Sequence, residues 1–294
     1  MFRIIYVATF FISATSTVVA WEPRNENVIA GKVPMSLLLN GLKESSGIAF
    51  SIVDPDCVWT HNDSGDISQI LAFNQFGKYC GRATLRRSKA VDFEDMAAYT
   101  DPDGTPRLLV ADVGDNDSKR DSVTLYLFDE PDPRIRGPVN GYQKVIVRYS
   151  GGSQNCESVT VDVKNNRILL FGKSPLFATM HQIPLPKRVV SKDPKRLVTE
   201  VNTKAIAKLA LPMATGMDLD PKSGDLWISS YFQAYYFPSD SANSLESRLK
   251  KPPRLIPMPK LRQIEAIAVD VTGRVWVTIE GSPARMQRVT VADE

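Results

Sequence analysis

Apolar runs of about five residues, bounded by turn residues, recur along the chain and read as short strands. They group into a larger period. A similar phrase appears as Glu44-Ser-Ser-Gly-Ile-Ala, Phe93-Glu-Asp-Met-Ala, Cys156-Glu-Ser-Val-Thr-Val-Asp, Thr215-Gly-Met-Asp-Leu-Asp and Ile264-Glu-Ala-Ile-Ala-Val-Asp. Each copy leads through a turn into a second apolar run: Val58-Trp-Thr-His, Arg107-Leu-Leu-Val-Ala-Asp, Arg167-Ile-Leu-Leu-Phe, Asp225-Leu-Trp-Ile-Ser-Ser and Arg274-Val-Trp-Val-Thr-Ile-Glu. Self-similarity at roughly 40–50 residues, built from short strands, is the mark of a β-propeller. The pattern therefore predicts an all-β chain of five four-stranded blades. Six blades is the alternative, because the second and third repeats have room for extra strands.

The predicted strands are 47–52, 57–61, 69–73 and 80–85 in the first repeat, and 96–100, 108–113, 123–128 and 144–149 in the second. The third has 158–163, 168–171, 179–183 and 197–201; the fourth has 217–219, 226–229, 234–237 and 254–257. The fifth offers 266–271, 275–280 and 286–289 and then the chain ends. Segment 35–39 has no repeat of its own. Joined to the fifth repeat it predicts a ring closed by an N-terminal strand, which removes two free edges. The turns Asp101-Pro-Asp-Gly, Lys164-Asn-Asn, Pro221-Lys-Ser-Gly and Val271-Thr-Gly carry the Gly, Asn and Asp that tight hairpins use.

The N-terminus changes the setting. Arg3, an apolar stretch over 4–12 and Val18-Val-Ala20 form an export-signal pattern. The expected division is a signal peptide at 1–20, a polar leader at 21–34 and a single propeller domain over 35–294. The apolar stretch is shorter than the about 20 residues of a membrane span. No stable span is expected after cleavage; an uncleaved anchor is the alternative. The mature protein is expected in the periplasm or outside the cell, as a monomer. Lys and Arg number 36 against 33 Asp and Glu, a formal net charge of +3. No basic stripe appears, so nucleic acid is not an expected partner. Cys57 and Cys80 fall on segments expected to be neighbouring strands, where export permits a disulfide. Cys156 is left over.

Candidate chemistry sits where the first strands open. Ser46, Glu94, Glu157, Gly216 and Glu265 stand at the head of these strands, with Glu44, Asp92, Asp95 and Asp218 beside them. The first strand of each propeller blade lines the central channel, so these groups converge. Carboxylates are costly to bury unless paired or bound to a metal, and several together hold protons unless a cation sits among them. Two readings stand side by side. The glutamates staple neighbouring blades through backbone N–H groups, or they hold a divalent cation or a substrate. Oxygen ligands favour Ca²⁺ first, then Mg²⁺ or Mn²⁺.

A second group follows the second strands: Thr60-His61-Asn62-Asp63-Ser64-Gly65-Asp66 and Ala111-Asp112-Val113-Gly114-Asp115-Asn116-Asp117. Asn62, Asp63, Asp115 and Asn116 are further oxygen ligands or caps of their own turns. His61 is a candidate general base if it faces the channel; a structural role is the alternative. Lys173, Tyr231 and Glu280 end the later second strands and would join His61, Asp63 and Asp115 in an outer ring if those ends share one mouth.

The stretch from Glu44 to Pro131 resembles a family of uncharacterised exported bacterial β-propellers. The resemblance rests on Glu44-Ser-Ser-Gly47, Trp59 to Asp66, Glu94-Asp-Met-Ala97, Asp112-Val-Gly-Asp-Asn116 and Glu130-Pro131. More distantly the chain is similar to gluconolactonase and phytase-like esterase propellers. The gluconolactonase likeness implies a channel cation held by one Glu, Asn or Asp per blade, with Glu94, Glu157 and Glu265 in those places.

The combined expectation is a propeller with a carboxylate-lined channel binding a divalent cation and hydrolysing a small ester, lactone or phosphoester. Glu94, Glu157 and Glu265 would be ligands, assisted by Asp115 or Asp218, and His61 or Asp63 would supply the base. The alternative is a non-catalytic module whose mouth holds a peptide, glycan or envelope partner. Converging carboxylates favour the first; acids spread out on backbone N–H groups favour the second.

Overall fold

The computed structural model describes residues 33–63, 65–191 and 197–290. The signal pattern and most of the polar leader lie outside these residues. A two-residue strand, β1 (Met35–Ser36), leads into blade 1: β2 (Ser45–Phe50), β3 (Cys57–Asn62), β4 (Gln69–Asn74) and β5 (Tyr79–Thr84). Blade 2 holds β6 (Phe93–Thr100), β7 (Pro106–Asp112), β8 (Val123–Asp129) and β10 (Gln143–Arg148), with a short β9 (Arg136–Pro138) before its last strand. Blade 3 holds β11 (Cys156–Asp162), β12 (Arg167–Gly172), β13 (Ala178–Pro184) and β15 (Lys204–Leu209), with β14 (Val198–Asn202) before β15. Blade 4 holds β16 (Ala214–Leu219), β17 (Leu226–Ser230), β18 (Gln233–Phe237) and β19 (Arg254–Pro257), with one helical turn, α1 (Leu245–Arg248), ahead of β19. Blade 5 holds β20 (Ile264–Val269), β21 (Val275–Ile279) and β22 (Arg285–Arg288), and β1 lies antiparallel to β22.

The inner strands β2, β6, β11, β16 and β20 each pack against the next, and β20 packs against β2. The sheets therefore stand as five blades around one axis. The core lies between blades rather than at the centre. In β7, Leu109 and Ala111 join the cluster shared with blade 3, whereas Leu108 and Val110 join the cluster shared with blade 1. Alternate strand residues point to opposite faces. Both faces of a blade are covered, so the run is apolar throughout rather than alternating. The same logic buries Phe171 against Met217 between blades 3 and 4, and Trp227 against Ile267 between blades 4 and 5. Met35, Leu37 and Trp276 meet Leu71 and Phe73 between blades 5 and 1.

Three expectations change. Segment 197–201 was expected as the outer strand of blade 3. Instead β14 pairs parallel with β10 as a fifth strand of blade 2, and β15 pairs with β13. Both segments are largely exposed edges, and packing decides between them. Val201 faces the core between blades 2 and 3, and Leu209 the core between blades 3 and 4. Likewise β9 was not anticipated; it lies parallel to β5 and covers the outer edge of blade 1. Lastly, Cys57 and Cys80 are not on neighbouring strands: β4 runs between β3 and β5. Two strand spacings are about 9.5 Å, beyond the ~7 Å that a disulfide spans, and all three cysteines are free thiols. Among the described residues no helix is long and apolar enough to cross a membrane.

Candidate functional site

In every blade the first strand runs antiparallel to the second, so the start of one faces the end of the other. The pairs are Ser45 with Asn62, Phe93 with Asp112, Cys156 with Gly172, Ala214 with Ser230, and Ile264 with Ile279. The heads of the inner strands and the residues that follow the second strands thus share one mouth.

One residue further in, the ladder shifts in all five blades. The residues left over are Ser46, Glu94, Glu157, Thr215 and Glu265. A bulge leaves its extra residue unpaired and re-aims the side chain. The fourth position belongs to Thr215 rather than Gly216, because Gly216 pairs with Ser229 in the resumed ladder. A methyl group on Gly216 would press on the backbone of Ala266 and Ile267, so this residue serves the close approach of β16 and β20.

Three carboxylates meet where blades 1 and 2 adjoin. Asp63 follows β3, Asp92 precedes β6 and Glu94 is the bulged residue of β6. One carboxylate oxygen from each lies within 4.8 Å of the others. Asp112 orients this segment: its carboxylate accepts the Val91 and Asp92 N–H groups, each at 3.2 Å, and pairs with Arg120 at 2.8 Å. Gly114 makes the room. A Cβ there would collide with Asp92 Oδ2 and Glu94 Oε1. Burial pushes Asp92 above the usual carboxylate range, and a hydrogen bond to Asp63 opposes the shift. Burial pushes Glu94 well above it, and the charges of Glu157, Asp63 and Asp92 add to the rise.

Glu157 continues the acidic floor. Its carboxylate accepts Asn155 Nδ2 at 2.7 Å and pairs with Lys173 Nζ at 3.2 Å. Lys173, just past β12, also lies 5.1 Å from the centre of the Tyr231 ring. Glu265 is pushed up to about 8 by burial; Lys173 lowers it, while Glu157, Glu280 and Asp63 raise it. Of the expected outer ring, Asp63, Lys173 and Glu280 are near enough to act on Glu265, and Tyr231 lies under Lys173.

Asp115, Asp218 and His61 are not among the clustered carboxylates. Asp115 caps its own turn, accepting the N–H groups of Lys119 at 2.9 Å and Arg120 at 2.8 Å. Asp218 ties blades together through Leu219 N and Val269 N, each at 2.8 Å, and Thr160 Oγ1 at 3.2 Å. Burial raises it to about 6. His61 is fully buried, edge-on to Phe93 with ring centres 5.6 Å apart, and its Nδ1 lies 3.0 Å from the Asn62 carbonyl oxygen. Burial lowers it to about 4. It does not face the mouth. Asp95 also serves the backbone, accepting Met96 N and Val159 N at 2.8 Å and Met217 N at 3.3 Å, across three blades.

Sequence reasoning named Asp92 only as a neighbour, and Asp63 both as a further oxygen ligand and as a candidate base. The signal for both was the Gly in Asp112-Val-Gly114, which frees space beside the head of β6, together with the hairpin register.

No protein-family description matches the chain, and no curated protein matches it. Similar solved structures include the PQQ-bound aldose sugar dehydrogenase of Streptomyces coelicolor, at 10% identity and a TM-score of 0.48, with 87% of this chain and 97% of that one covered. A glucose dehydrogenase is 9% identical with a TM-score of 0.49, over 88% and 100%. The Dos1 propeller is 8% identical with a TM-score of 0.36, over 91% and 89%. The propeller assignment stands on the ring of five sheets, not on these likenesses.

Proposed function

We propose that this propeller binds a divalent cation between Asp63, Asp92 and Glu94 and acts there on a small ester, lactone or phosphoester. The observation that carries the proposal is the three-carboxylate cluster at the mouth, with Gly114 leaving no side chain to fill it. Like charges at this spacing stay ionised together only with a cation among them, and an all-oxygen set suits Ca²⁺, Mg²⁺ or Mn²⁺. When bound, the cation would polarise a carbonyl or phosphoryl oxygen and acidify a water. Glu265, raised to about 8, holds a proton at neutral pH and takes the proton-transfer role first considered for His61. Lys173 pairs with Glu157 beside it at 3.2 Å.

Calorimetric titration of the protein with calcium, magnesium and manganese tests this, alongside Glu94→Gln. Stoichiometric binding that the variant loses while keeping its melting temperature supports the cation site. Hydrolysis of short esters, lactones or phosphoesters that tracks metal loading supports the reaction. Absence of binding by the intact protein overturns both. The second reading, a non-catalytic binding module, is favoured by Asp95, Asp115 and Asp218, whose carboxylates serve the backbone; cation binding without turnover would select it.

We also read β1 as the closure of the ring. Its pairing with β22 and the burial of Met35 and Leu37 between blades 5 and 1 support that reading.

A further inference from the structure

A basic edge that no single run in the sequence contains assembles on the outside of blade 1. Segment 78–91 carries Lys78, Arg82, Arg86, Arg87 and Lys89 and no acid. Segment 133–155 is also free of acids, and β9 brings its Arg134 and Arg136 to the same place. The register sets Arg82 beside Arg136, and the Arg136 guanidinium lies 5.0 Å from the centre of the Tyr79 ring. The last residue of β5, Thr84, pairs with Gln69 at the mouth end of the blade, and just beyond it Arg86 and Arg87 extend the edge. All of these cations are exposed. Among the described residues only Arg134 has an ion-pair partner, Asp54 at 2.6 Å. Like charges gathered without counter-charges repel one another, and an anionic surface relieves that repulsion.

Two large apolar side chains stand among the cations. Ile135, between Arg134 and Arg136, is 61% exposed, and its carbonyl oxygen accepts the Arg82 N–H at 3.1 Å. Leu38 is 62% exposed and lies beside Lys78 in a backbone bridge. A nucleic acid or another soluble polyanion would set its charges against these side chains. A bilayer surface accommodates both kinds of group. Its phosphates accept guanidinium forks, and apolar side chains enter the boundary between headgroups and acyl chains. We infer that the outer edge of blade 1 docks on an anionic lipid bilayer, with Arg82, Arg86, Arg87 and Arg136 on the phosphates and Leu38 and Ile135 in the boundary. The edge shares no residue with the carboxylate cluster, so this inference is independent of the cation reading.

The test sediments the intact protein with phosphatidylcholine vesicles, with and without phosphatidylglycerol. Binding is expected only to the anionic vesicles, and it weakens as salt is raised. The double variant Arg82→Gln, Arg136→Gln is expected to bind about 25-fold more weakly, at about fivefold per cation. Arg86→Gln, Arg87→Gln removes two cations from the far end of the same edge and is expected to lose as much, so the test does not depend on one variant folding. Lys204→Gln, Lys208→Gln, on the outer strand of blade 3, is expected to bind as the native protein does. Ile135→Ser is expected to cost at least about threefold, as its side chain no longer enters the boundary. Absence of binding to the anionic vesicles overturns the inference. Binding that both arginine variants retain does so too, because it belongs to another segment, the apolar stretch over 4–12 included. Equal losses in the blade 3 control would show attraction by overall charge and no docking edge. Native affinity in Ile135→Ser overturns the bilayer in favour of a soluble polyanion.

Discussion

Burial pushes Glu265 up to about 8, so at neutral pH it is a neutral acid in the folded protein. In the unfolded chain a glutamate titrates near 4.3. Between about 4.3 and about 8 the unfolded state has released this proton and the folded state has not, so stability falls as pH rises through that window. Glu265→Gln removes the dependence. The melting temperature of the variant relative to the native protein is therefore expected to rise from about pH 5 to about pH 8; a constant difference would show that Glu265 is ionised throughout. His61 shows the same physics with the opposite sign. Burial lowers it, and a neutral ring against Phe93 belongs to the packing of blades 1 and 2. From sequence the two residues looked alike as candidate chemistry. They separate only because a bulge aims one at the mouth while the regular ladder beyond the bulge carries the other into the protein.

At the scale of the element, one bulge repeated in five blades accounts for the recurring Glu-Asp and Glu-Ser steps. The hairpin register was legible in the sequence, since antiparallel strands must bring the start of one beside the end of the next. The bulge was not, because a single inserted residue leaves the period-two pattern intact on both sides. Gly216 was placed where Thr215 belongs, although the two-residue spacing that gives Ser46, Glu94, Glu157 and Glu265 reaches Thr215 when counted back from Met217. Gly114→Ala tests the cradle: its methyl group displaces the ends of Asp92 and Glu94. Cation affinity is expected to fall at least tenfold, with a stability cost of about 1–3 kcal/mol for the crowding. Native-like cation binding would contradict the assigned site. The short strand β1 makes a second element-scale test. Leu37 is fully buried and its N–H donates to the Ala284 carbonyl oxygen at 2.8 Å. If β1 closes the ring, Leu37→Ala should cost about 2–5 kcal/mol in denaturant unfolding. A loss well below 1 kcal/mol would mark the segment as an accessory tail.

Across the whole molecule, charge is used in two ways that sequence cannot tell apart. Asp95 and Glu94 are adjacent, yet one ties blades 2, 3 and 4 together from within and the other lines the mouth. Asp95→Ala would strand three buried N–H groups, at about 1–3 kcal/mol each as an upper range. The expected result is a marked loss of stability, with Asp95→Asn costing less because one acceptor oxygen remains. Unfolding curves that scarcely move would argue that water replaces the carboxylate. Glu94→Gln is expected to do the reverse, removing cation binding at little cost in stability, because it relieves repulsion.

Strand length, turn chemistry and the five-fold phrase suffice to specify a ring of blades. These depend on local backbone preferences and on covering two faces of every sheet. The glutamates and the polar turns were also visible as a set. What only the tertiary structure decided is which of them meet. Asp63 and Glu94 come from different blades, 31 positions apart in the sequence, and their approach depends on how blades 1 and 2 pack and on the missing side chain at Gly114. The edge strands were undecided for a related reason. Val198–Asn202 and Lys204–Leu209 bury too little apolar surface to choose a partner by pattern, so the packing of neighbouring blades chose for them.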